Sequence, residues 1–295
     1  MASVKVKNVS EFDGLDGLQT LVVDVNKLVS LPDIYYRLES ALESPASTMN
    51  DFATLLSSDP DLCARLLRMA NSAFYSFPAK IETIDRAIST IGMRQIRELV
   101  LVTSVMEMFE GVTIPLVNMR SFWEHSVAVG VCSRAIAQYA GLGQSDRYYI
   151  PGLLHDIGRL VLFMKLPAFI SELMQQSVAE SRSLFLLEQE QLGYNHGAIG
   201  GQLLDFWKVP QSIYEPVSCH HDPLAATEFI LISSVVHIAD ACVNRHRIGT
   251  SGESNPPVIE QQALDQISMK EEDLEEIWLT ARDDVSSVIK QFLGH

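Results

Sequence analysis

Histidine and aspartate side chains in apolar segments are the residues of this chain whose types could carry out chemistry. His155 and Asp156 are adjacent in the apolar run PGLLHDIGRLV of Pro151–Val161, which is part of a single helix predicted over Pro151–Lys165. Burial of a carboxylate is costly unless it pairs with a cation or binds a metal. An Asp156 salt bridge with an ordinary core hydrogen bond from His155 would explain an isolated pair. Further histidines and an aspartate in other apolar segments make a metal site the alternative explanation for His155 and Asp156.

Two further candidates lie on helical stripes that should face the core. The predicted helix Ser121–Ala140 carries His125 on its apolar face, and the predicted helix Ala226–His246 carries Asp240 on its own apolar face. His125 alone could be an ordinary core histidine. The stripe of Asp240 contains no lysine or arginine, which favours a metal as the partner of this carboxylate.

Three more histidines complete the candidate set. His196 begins a predicted helix that Asn195 caps, and the adjacent His220 and His221 precede Pro223, which predicts that they lie at a helix end. Neighbouring side chains on a helix diverge by about 100 degrees, so the adjacent pair can reach one ion only at a helix end, or else must serve two ions. Exposed surface histidines are the alternative for either member of this pair.

This set of residue types could hold metal ions that act on a phosphate group. The candidate metal ligands are five histidines and two aspartates, namely His125, His155, Asp156, His196, His220, His221 and Asp240. They could hold two divalent transition metals, with an aspartate between them: Fe or Mn first, with Zn, Co or Ni as alternatives. Two such ions beside two carboxylates leave a local charge of about +2, which attracts phosphate and suits displacement at phosphorus. Arg159, one turn beyond His155, could clamp a phosphate oxygen or could be solvent-exposed.

The elements that must position these residues are predicted to be helices. The chain has 295 residues, enough for one large or two smaller domains, and is 47% hydrophobic. No segment keeps a two-residue alternation for long, whereas helical periodicity recurs, so we predict an all-α fold. Asp59 and Pro60 are a strong helix start. The exceptions are a loose polar tail at Met1–Leu18 and a short strand at Leu21–Val25.

Charge and composition exclude several classes of function. The chain carries 22 basic and 37 acidic residues, a net charge of −15, which opposes general nucleic-acid binding and anionic membranes. The four cysteines are widely spaced, as in reduced core residues. No secretion signal is evident, and the apolar runs are too short to cross a bilayer. We expect a cytoplasmic protein that binds neither membranes nor nucleic acid in general.

Longer motifs resemble a known family. LLHDIG at Leu153–Gly158, with His125 before it and Asp240 after it, resembles the H…HD…D pattern of the HD superfamily of metal-dependent phosphohydrolases. From about residue 31 to residue 248 the chain resembles the HDOD family, the HD-related output domains of bacterial signalling proteins. The supporting segments are SSDPDLCARLLRMANSAFY, AISTIG, LLHDIG, GYNHGAIGGQLLDFWKVP, CHHDP and HIADACV. The Asn71-Ser72-Ala73 hallmark in the first segment is interpreted as structural, with Asn71 tying down the next loop.

The resemblance implies an all-α architecture with an N-terminal helical bundle packed on an HD-type (HDOD) helical core. The implied division is an N-terminal tail (1–28), a helical bundle (29–112), an HD-like metal-binding core (113–248), and a linker with acidic C-terminal helices (249–295). Within the last part, Thr250–Pro257 is interpreted as a polar linker.

The ligand order is also similar to that of the HD-GYP phosphodiesterases, which hold a binuclear metal centre and cleave cyclic di-GMP. Carried over by motif, one metal would be held by His125, His155, Asp156 and Asp240, and Asp156 would bridge to a second metal held by His196, His220 and His221. Three positions depart from the related patterns. Arg159 replaces the usual lysine, Asp222 and Pro223 begin the segment where GYP is expected, and Ser121 replaces a carboxylate, so no third metal is predicted.

Two functions are therefore predicted as alternatives. The first is a metal-dependent phosphohydrolase or phosphodiesterase for a phosphate-containing small molecule, nucleotide or cyclic dinucleotide, with Asp156 and Arg159 as catalytic residues. The second is a non-catalytic module that binds a signalling protein partner, as the resemblance also implies, because many HDOD proteins have lost their metal ligands. In that module the metal would be structural or absent.

Overall fold

A computed structural model describes residues 12–71, 80–112 and 116–294. All regular elements in these three ranges are helical and none is a strand, which confirms the all-α prediction. In chain order the α-helices are α1 (Gly14–Asn26), α2 (Asp33–Glu43), α3 (Met49–Ser57), α4 (Pro60–Ala70), α5 (Ile84–Ile91), α6 (Met93–Met108), α7 (Met119–Tyr139), α8 (Tyr149–Leu154), α9 (Ile157–Lys165), α10 (Pro167–Glu180), α11 (Leu184–Leu192), α12 (His196–Phe206), α13 (Gln211–Cys219), α14 (Ile230–Arg245), α15 (Gln261–Gln266) and α16 (Asp273–Leu293).

The chain divides into two compact units. The first, called the core unit here, comprises Met1–Leu28 and Gly111–Val285. The second, called the bundle unit, comprises Val29–Glu110 and Ser286–His295. All the predicted metal ligands lie in the core unit.

The bundle unit contains α2 to α6, and its helix starts follow from local capping. Asp59 caps α4 as predicted, because its Oδ1 accepts from the backbone N–H groups of Asp61 and Leu62 at 3.1 and 3.0 Å. Asn71 ends the same helix, and its side-chain amide donates to Leu67 O and to Ile81 O at 2.6 and 2.7 Å. Asn71 therefore ties down the following loop as predicted, although residues 72–79 of that loop lie outside the described ranges.

In the core unit, α7 packs against α8 and α14, while α12 packs against α9 and α13. Each of these helices buries apolar side chains completely, including Val129 on α7, Leu160 on α9, Leu203 on α12, Val217 on α13 and Val236 on α14. Burial of this kind stabilises the fold by roughly 1.5–3 kcal/mol per large side chain. The packing brings the polar ends and faces of these helices together.

The predicted strand at Leu21–Val25 is wrong, because this segment belongs to α1. Its buried residues are Leu18, Leu21, Val22 and Val25, which recur at helical spacing rather than at every second position. The loose tail predicted for Met1–Leu18 is wrong from Gly14 onward for the same reason; residues 1–11 lie outside the described ranges. The Trp207 indole N–H donates to Asn26 Oδ1 at 2.9 Å, which fixes the end of α1 on the core unit.

The single helix predicted over Pro151–Lys165 is also wrong in one respect. Helix α8 ends at Leu154 and α9 begins at Ile157, so His155 and Asp156 lie in a break between two helices. The ring of His155 bonds the Gly152 carbonyl oxygen at 2.7 Å, a local bond that occupies a backbone acceptor at the end of α8. The break frees the two adjacent side chains from the divergence that a continuous helix would impose.

None of the helices formed by the described residues is both long enough and apolar enough to cross a membrane.

Candidate metal centre

The seven predicted ligands converge on one place inside the core unit. One group consists of His125, His155 and Asp240, and its potential ligand atoms all lie within 4.8 Å of one another. The Nε2 atoms of His125 and His155 lie 3.2 and 3.5 Å from Asp240 Oδ1. These three residues come from α7, the α8–α9 break and α14 respectively, so the packing of those helices creates the group.

A second group consists of His196, His220 and His221, whose potential ligand atoms also lie within 4.8 Å of one another. His196 is the first residue of α12, and His220 caps the C-terminal end of α13. The predicted helix-end position of the adjacent pair is therefore right. Position at the helix end allows both rings to face His196, with the Nε2 atoms of His220 and His221 at 3.3 and 2.9 Å from its Nε2 atom.

Asp156 lies between the two groups. Its Oδ2 is 3.1 Å from His155 Nε2 and 3.7 Å from His125 Nε2, whereas its Oδ1 is 2.9 Å from His196 Nε2. Each oxygen of the carboxylate thus faces a different group of ligands. A carboxylate that bridges two ions must be placed in this way.

Hydrogen bonds at the far side of the rings fix which nitrogen faces the centre. His155 and His220 each place Nδ1 against the carbonyl oxygen three residues earlier, at 2.7 and 2.8 Å. His196 Nδ1 is 2.6 Å from Glu188 Oε2. Because these oxygens only accept hydrogen bonds, each Nδ1 carries a proton, so Nε2 is the nitrogen of each ring that can offer a lone pair to an ion. This arrangement is typical of metal-ligating histidines.

The Nε2 atoms that face the centre are placed better to bind a metal ion than to hydrogen-bond with one another. His155 Nε2 is buried and has no hydrogen-bond partner among the described residues. His196 Nε2 faces two other Nε2 atoms, an arrangement that repels unless a cation or a proton lies between the lone pairs. Two nitrogen ligands held at ~2.1 Å from one ion are roughly 3–3.4 Å apart, close to the separations found in this group.

The pKa values of the centre show which proposed ligands already have the protonation state that a metal requires. Burial raises the pKa of Asp156, but the nearby His155 and Arg159 outweigh this effect and hold that pKa well below its usual range. Burial, with His155 and His196 close by, lowers the pKa of His220 to about 3. Burial lowers the pKa of His155, but the carboxylates of Asp156 and Asp240 outweigh it and raise this pKa to about 10. At physiological pH Asp156 is therefore ionised and His220 neutral, as metal ligands require, whereas an ion would have to displace a proton from His155.

Not every histidine of the core unit faces this centre. His237, one turn before Asp240 on α14, bonds the His220 carbonyl oxygen through Nδ1 at 2.8 Å and accepts from Glu260 N–H through Nε2 at 3.0 Å. Both ring nitrogens are thereby occupied by backbone groups. His237 is therefore a structural residue of the core unit.

Arg159 is buried, so the alternative of a solvent-exposed arginine is wrong. Its side chain is 1% exposed and lies among three carboxylates. Its nitrogens lie 3.3 Å from Asp156, 3.9 Å from Glu188 and 3.4 Å from Glu253. Its Nε and Nη1 atoms have no hydrogen-bond partner among the described residues. The guanidinium therefore balances buried negative charge and keeps two donors beside Asp156.

Glu188 is a buried residue of this site that the sequence analysis missed. It is fully buried, and its Oε2 accepts from both the backbone N–H and the ring of His196. A signal was present, since Glu188 shares the apolar face of α11 with Leu184 and Leu192 at intervals of four. A carboxylate on an apolar stripe is the same signal that identified Asp240.

Glu253 was missed for a different reason. It lies in Thr250–Pro257, a segment interpreted as a polar linker, which has no regular structure and yet buries this side chain. The Glu253 side chain is 3% exposed, and its Oε2 accepts from Leu184 N–H at 2.9 Å beside Arg159. No periodicity marks a buried position in a segment without regular structure, so the sequence offered no signal.

Most of the chain matches a known protein family. The model of the HDOD domain family matches residues 28–223. An uncharacterized protein of Treponema pallidum (strain Nichols) is 22% identical over 224 residues, which are 74% of this chain and 42% of that protein. The chain thus spans less than half the length of this relative.

Solved structures share the fold. An HDOD domain protein of unknown function from Geobacter sulfurreducens superposes with a TM-score of 0.74 at 23% identity, over 95% of this chain and 99% of its own. A protein named as a candidate phosphohydrolase from Shewanella amazonensis SB2B superposes with a TM-score of 0.68 at 24% identity, over 92% of this chain and 97% of its own. A protein named as a candidate signal transduction protein from Marinobacter aquaeolei VT8 superposes with a TM-score of 0.73 at 18% identity, over 99% of this chain and 68% of its own. At these identities the likeness concerns the fold alone.

Proposed function

The chain belongs to the HDOD domain family, and on that premise we propose that its core unit is a binuclear, metal-dependent phosphohydrolase for a nucleotide or cyclic dinucleotide. The observation that carries the proposal is the position of Asp156, with one carboxylate oxygen toward each group of histidines. A single structural ion would not need a carboxylate shared in this way. We assign His125, His155 and Asp240 to one ion, and His196, His220 and His221 to the other.

A bound pair of divalent ions supplies Lewis acidity, which activates water and offsets negative charge in displacement at phosphorus. The chain's own residues prepare this chemistry. Glu188 holds the His196 ring through its Nδ1 atom, and the backbone holds the rings of His155 and His220. The Nε2 atoms are thus oriented before any ligand arrives, so the rings need little reorientation.

We propose that Arg159 acts beside Asp156 in two ways. It balances the carboxylates of Asp156, Glu188 and Glu253, and its Nε and Nη1 donors are available to an oxygen of the substrate phosphate. Glu188, Glu253 and Arg159 also change the charge expected from the sequence. With them included, two divalent ions would leave a local charge of about +1 rather than +2, which still favours an anionic substrate.

A second candidate function is a signalling module in which the metals are structural. It is favoured by the burial of the proposed ligands, because His155, His196 and His220 are fully buried and Asp156 is only 3% exposed. Closed sites are typical of structural metals, whereas catalytic sites keep a position open. The candidate signal transduction protein among the structures of the same fold agrees with this alternative.

The two candidates can be separated with one set of measurements. The protein is purified without chelator, its metal content is measured by elemental analysis, and hydrolysis of bis(4-nitrophenyl) phosphate and of cyclic dinucleotides is assayed. The Asp156→Asn variant is compared with Asp205→Asn, which alters an exposed aspartate of α12. We expect two metals per chain and turnover that only Asp156→Asn abolishes.

Other outcomes have definite meanings. Two metals per chain without turnover of any phosphoester would favour the signalling module. Purified protein that neither retains nor takes up metal would overturn both candidates as stated.

A further inference from the structure

A pocket that none of the preceding assignments uses lies at the C-terminal end of α14. Its volume is about 510 Å³, within the range of roughly 300–1,000 Å³ that is common for pockets that bind small molecules. The last residues of α14 and the segment that follows it line the pocket; they include Asn244, Arg245, Arg247, Thr250, Glu253 and Ser254.

The side chains that set the charge of this pocket are arginines. The Glu253 carboxylate is turned away, because it accepts from the Leu184 N–H group and contacts Arg159. Arg245 pairs with Glu271 through one terminal nitrogen only, and the Arg247 side chain forms no hydrogen bond or ion pair with the described residues. In a chain of net charge −15, two exposed arginines in one pocket create a local positive region.

The donors of this pocket match a phosphate group. Guanidinium groups bind phosphate oxygens with paired, charge-assisted hydrogen bonds. The Thr250 hydroxyl oxygen accepts from Gly252 N–H at 3.0 Å, which leaves its own O–H free to donate, and Ser254 supplies a second hydroxyl. The combination of two guanidinium groups and two hydroxyls favours an anion with several oxygens over a neutral or cationic ligand.

The wall of the pocket is fixed against α7. Gly249 has a φ of 61°, and a Cβ atom there would lie 2.3 Å from Ser121 O and 2.4 Å from His125 N. Thr250 N–H also donates to Ser121 O at 3.0 Å. The chain therefore passes so close to α7 that only glycine fits. The pocket is consequently a built feature of the core unit.

One lining residue also touches the candidate metal centre. Asn244 Nδ2 donates to Asp240 Oδ1 at 2.7 Å and to Asp240 O at 3.0 Å. A ligand in the pocket therefore lies one side chain away from a proposed metal ligand. This contact gives occupancy of the pocket a physical route to the centre.

We propose that this pocket binds a phosphate-bearing anion through Arg245 and Arg247, and that Asn244 links its occupancy to Asp240. The binding step is independent of the proposed function, whereas the link to Asp240 rests on it. The anion has two possible sources: a phosphate group of the substrate itself or a separate small molecule.

The binding step is tested by calorimetric titration of inorganic pyrophosphate into the full chain with chelator present, so that metals cannot contribute. We expect Arg245→Gln and Arg247→Gln each to weaken binding by roughly 10-fold or more, as for loss of a charge-assisted hydrogen bond. The control is Arg86→Gln, which removes the same charge from an exposed position in the bundle unit and should change affinity less than ~2-fold. Thermal unfolding of each variant verifies that it folds.

The outcomes distinguish this proposal from the proposed function. Absence of pyrophosphate binding by the unmodified chain, or equal binding by all three variants, would overturn it. Pyrophosphate binding that needs both arginines, in a protein without hydrolytic activity, would retain this inference and reject the enzyme.

If the metal-loaded protein is active, kinetics identify the source of the anion. A substrate phosphate is indicated if Arg247→Gln raises KM and leaves kcat unchanged. A separate effector is indicated if added phosphate changes the kcat of the unmodified chain but not that of Arg247→Gln. Activity whose KM, kcat and phosphate response are all unaffected by Arg247→Gln would overturn the link to Asp240.

Discussion

Glu188 accepts two hydrogen bonds from His196 on a single carboxylate oxygen, one from the backbone N–H at 2.8 Å and one from the ring Nδ1 at 2.6 Å. Both side chains are completely buried. The first residue of α12 is thus held at its backbone and at its ring by the same group. This contact orients a histidine of one ligand group without itself reaching the centre.

Loss of the Glu188 charge should weaken metal binding. In Glu188→Gln the His196 ring keeps an acceptor but loses a charged one, so its Nε2 becomes a poorer and less well oriented ligand. We expect metal affinity to fall by ~10–100-fold, the usual effect of such outer partners. Competition with a coloured chelator measures it. Glu190→Gln, which changes an exposed glutamate of the same helix, should match the unmodified chain, and equal losses in both variants would contradict the assignment.

Metal removal should lower thermal stability, and this response should depend on His196. A metal that binds only the folded state stabilises it by ~4 kcal/mol at a free concentration a thousand times its Kd. We expect chelator to lower the Tm of the unmodified chain by several degrees. His196→Ala should abolish this difference. His246→Ala should preserve it, because that ring stacks on Trp278 at a centroid distance of 4.3 Å instead of facing the centre. A Tm insensitive to chelator in protein shown to contain metal would contradict the prediction.

Substitution of Gly158 should disturb the centre through the backbone. A Cβ atom at this position would lie 1.9 Å from His196 O and 2.8 Å from Gly200 N, so α9 and α12 would have to separate. We expect Gly158→Ala to lower the free energy of unfolding by ~1–3 kcal/mol, as for overpacking, and to weaken metal binding by displacing His196. Urea denaturation and metal titration measure the two effects. Unchanged values in both would mean that the helices approach less closely than described.

Glu215 should make stability depend on pH in the acid range. Its carboxylate accepts from Thr227 N–H and Oγ1–H at 3.0 and 2.6 Å, and from Glu228 and Phe229 N–H at 3.1 and 2.8 Å, which anchors the segment leading into α14. Burial works against these hydrogen bonds, but together they lower the pKa of Glu215. The stabilisation is therefore complete above the unfolded-state value of about 4.3 and is lost as pH falls through the lower folded-state value.

The Glu215→Gln variant tests this dependence. Its amide group would face backbone N–H groups with donors, so we expect it to be ~1–3 kcal/mol less stable at pH 7. The difference from the unmodified chain should shrink below pH 4, where the carboxylate becomes protonated. Urea denaturation at several pH values measures it, with Glu228→Gln as an exposed control. A difference that stays constant from pH 7 to pH 3 would contradict the role of the charge.

Helical periodicity accounts for the parts of the site that could be predicted. His125 and Asp240 interrupt apolar stripes, and a stripe determines which way a side chain faces because helix geometry is regular. The helix-end position of His220 could be predicted from Pro223, because proline restricts the backbone conformation of its neighbours. These expectations depend on interactions within a few residues, and the packed helices agree with them.

The sequence predictions were wrong or incomplete where contacts between distant segments determine the local conformation or the burial of a side chain. The segment containing Leu21 and Val22 has strand-forming residues, yet it is helical because one face packs on the core unit. His155 and Asp156 end one helix and precede the next, because they meet groups from other helices. Glu253 is buried by Arg159, a partner 94 positions earlier. The residues near a position in the sequence do not indicate which distant residues it will contact.

The sequence by itself determined the helical class, the family, and the types of residue available for binding metal, because these depend on local periodicity and on the chemistry of individual side chains. Only the tertiary structure decided that Asp156 turns one oxygen toward each group of histidines, that Arg159 is buried among carboxylates, and that two arginines share a pocket beside Asn244. Those relationships arise from the packing of helices far apart in the chain, where distances of a few ångströms determine charge, orientation and access.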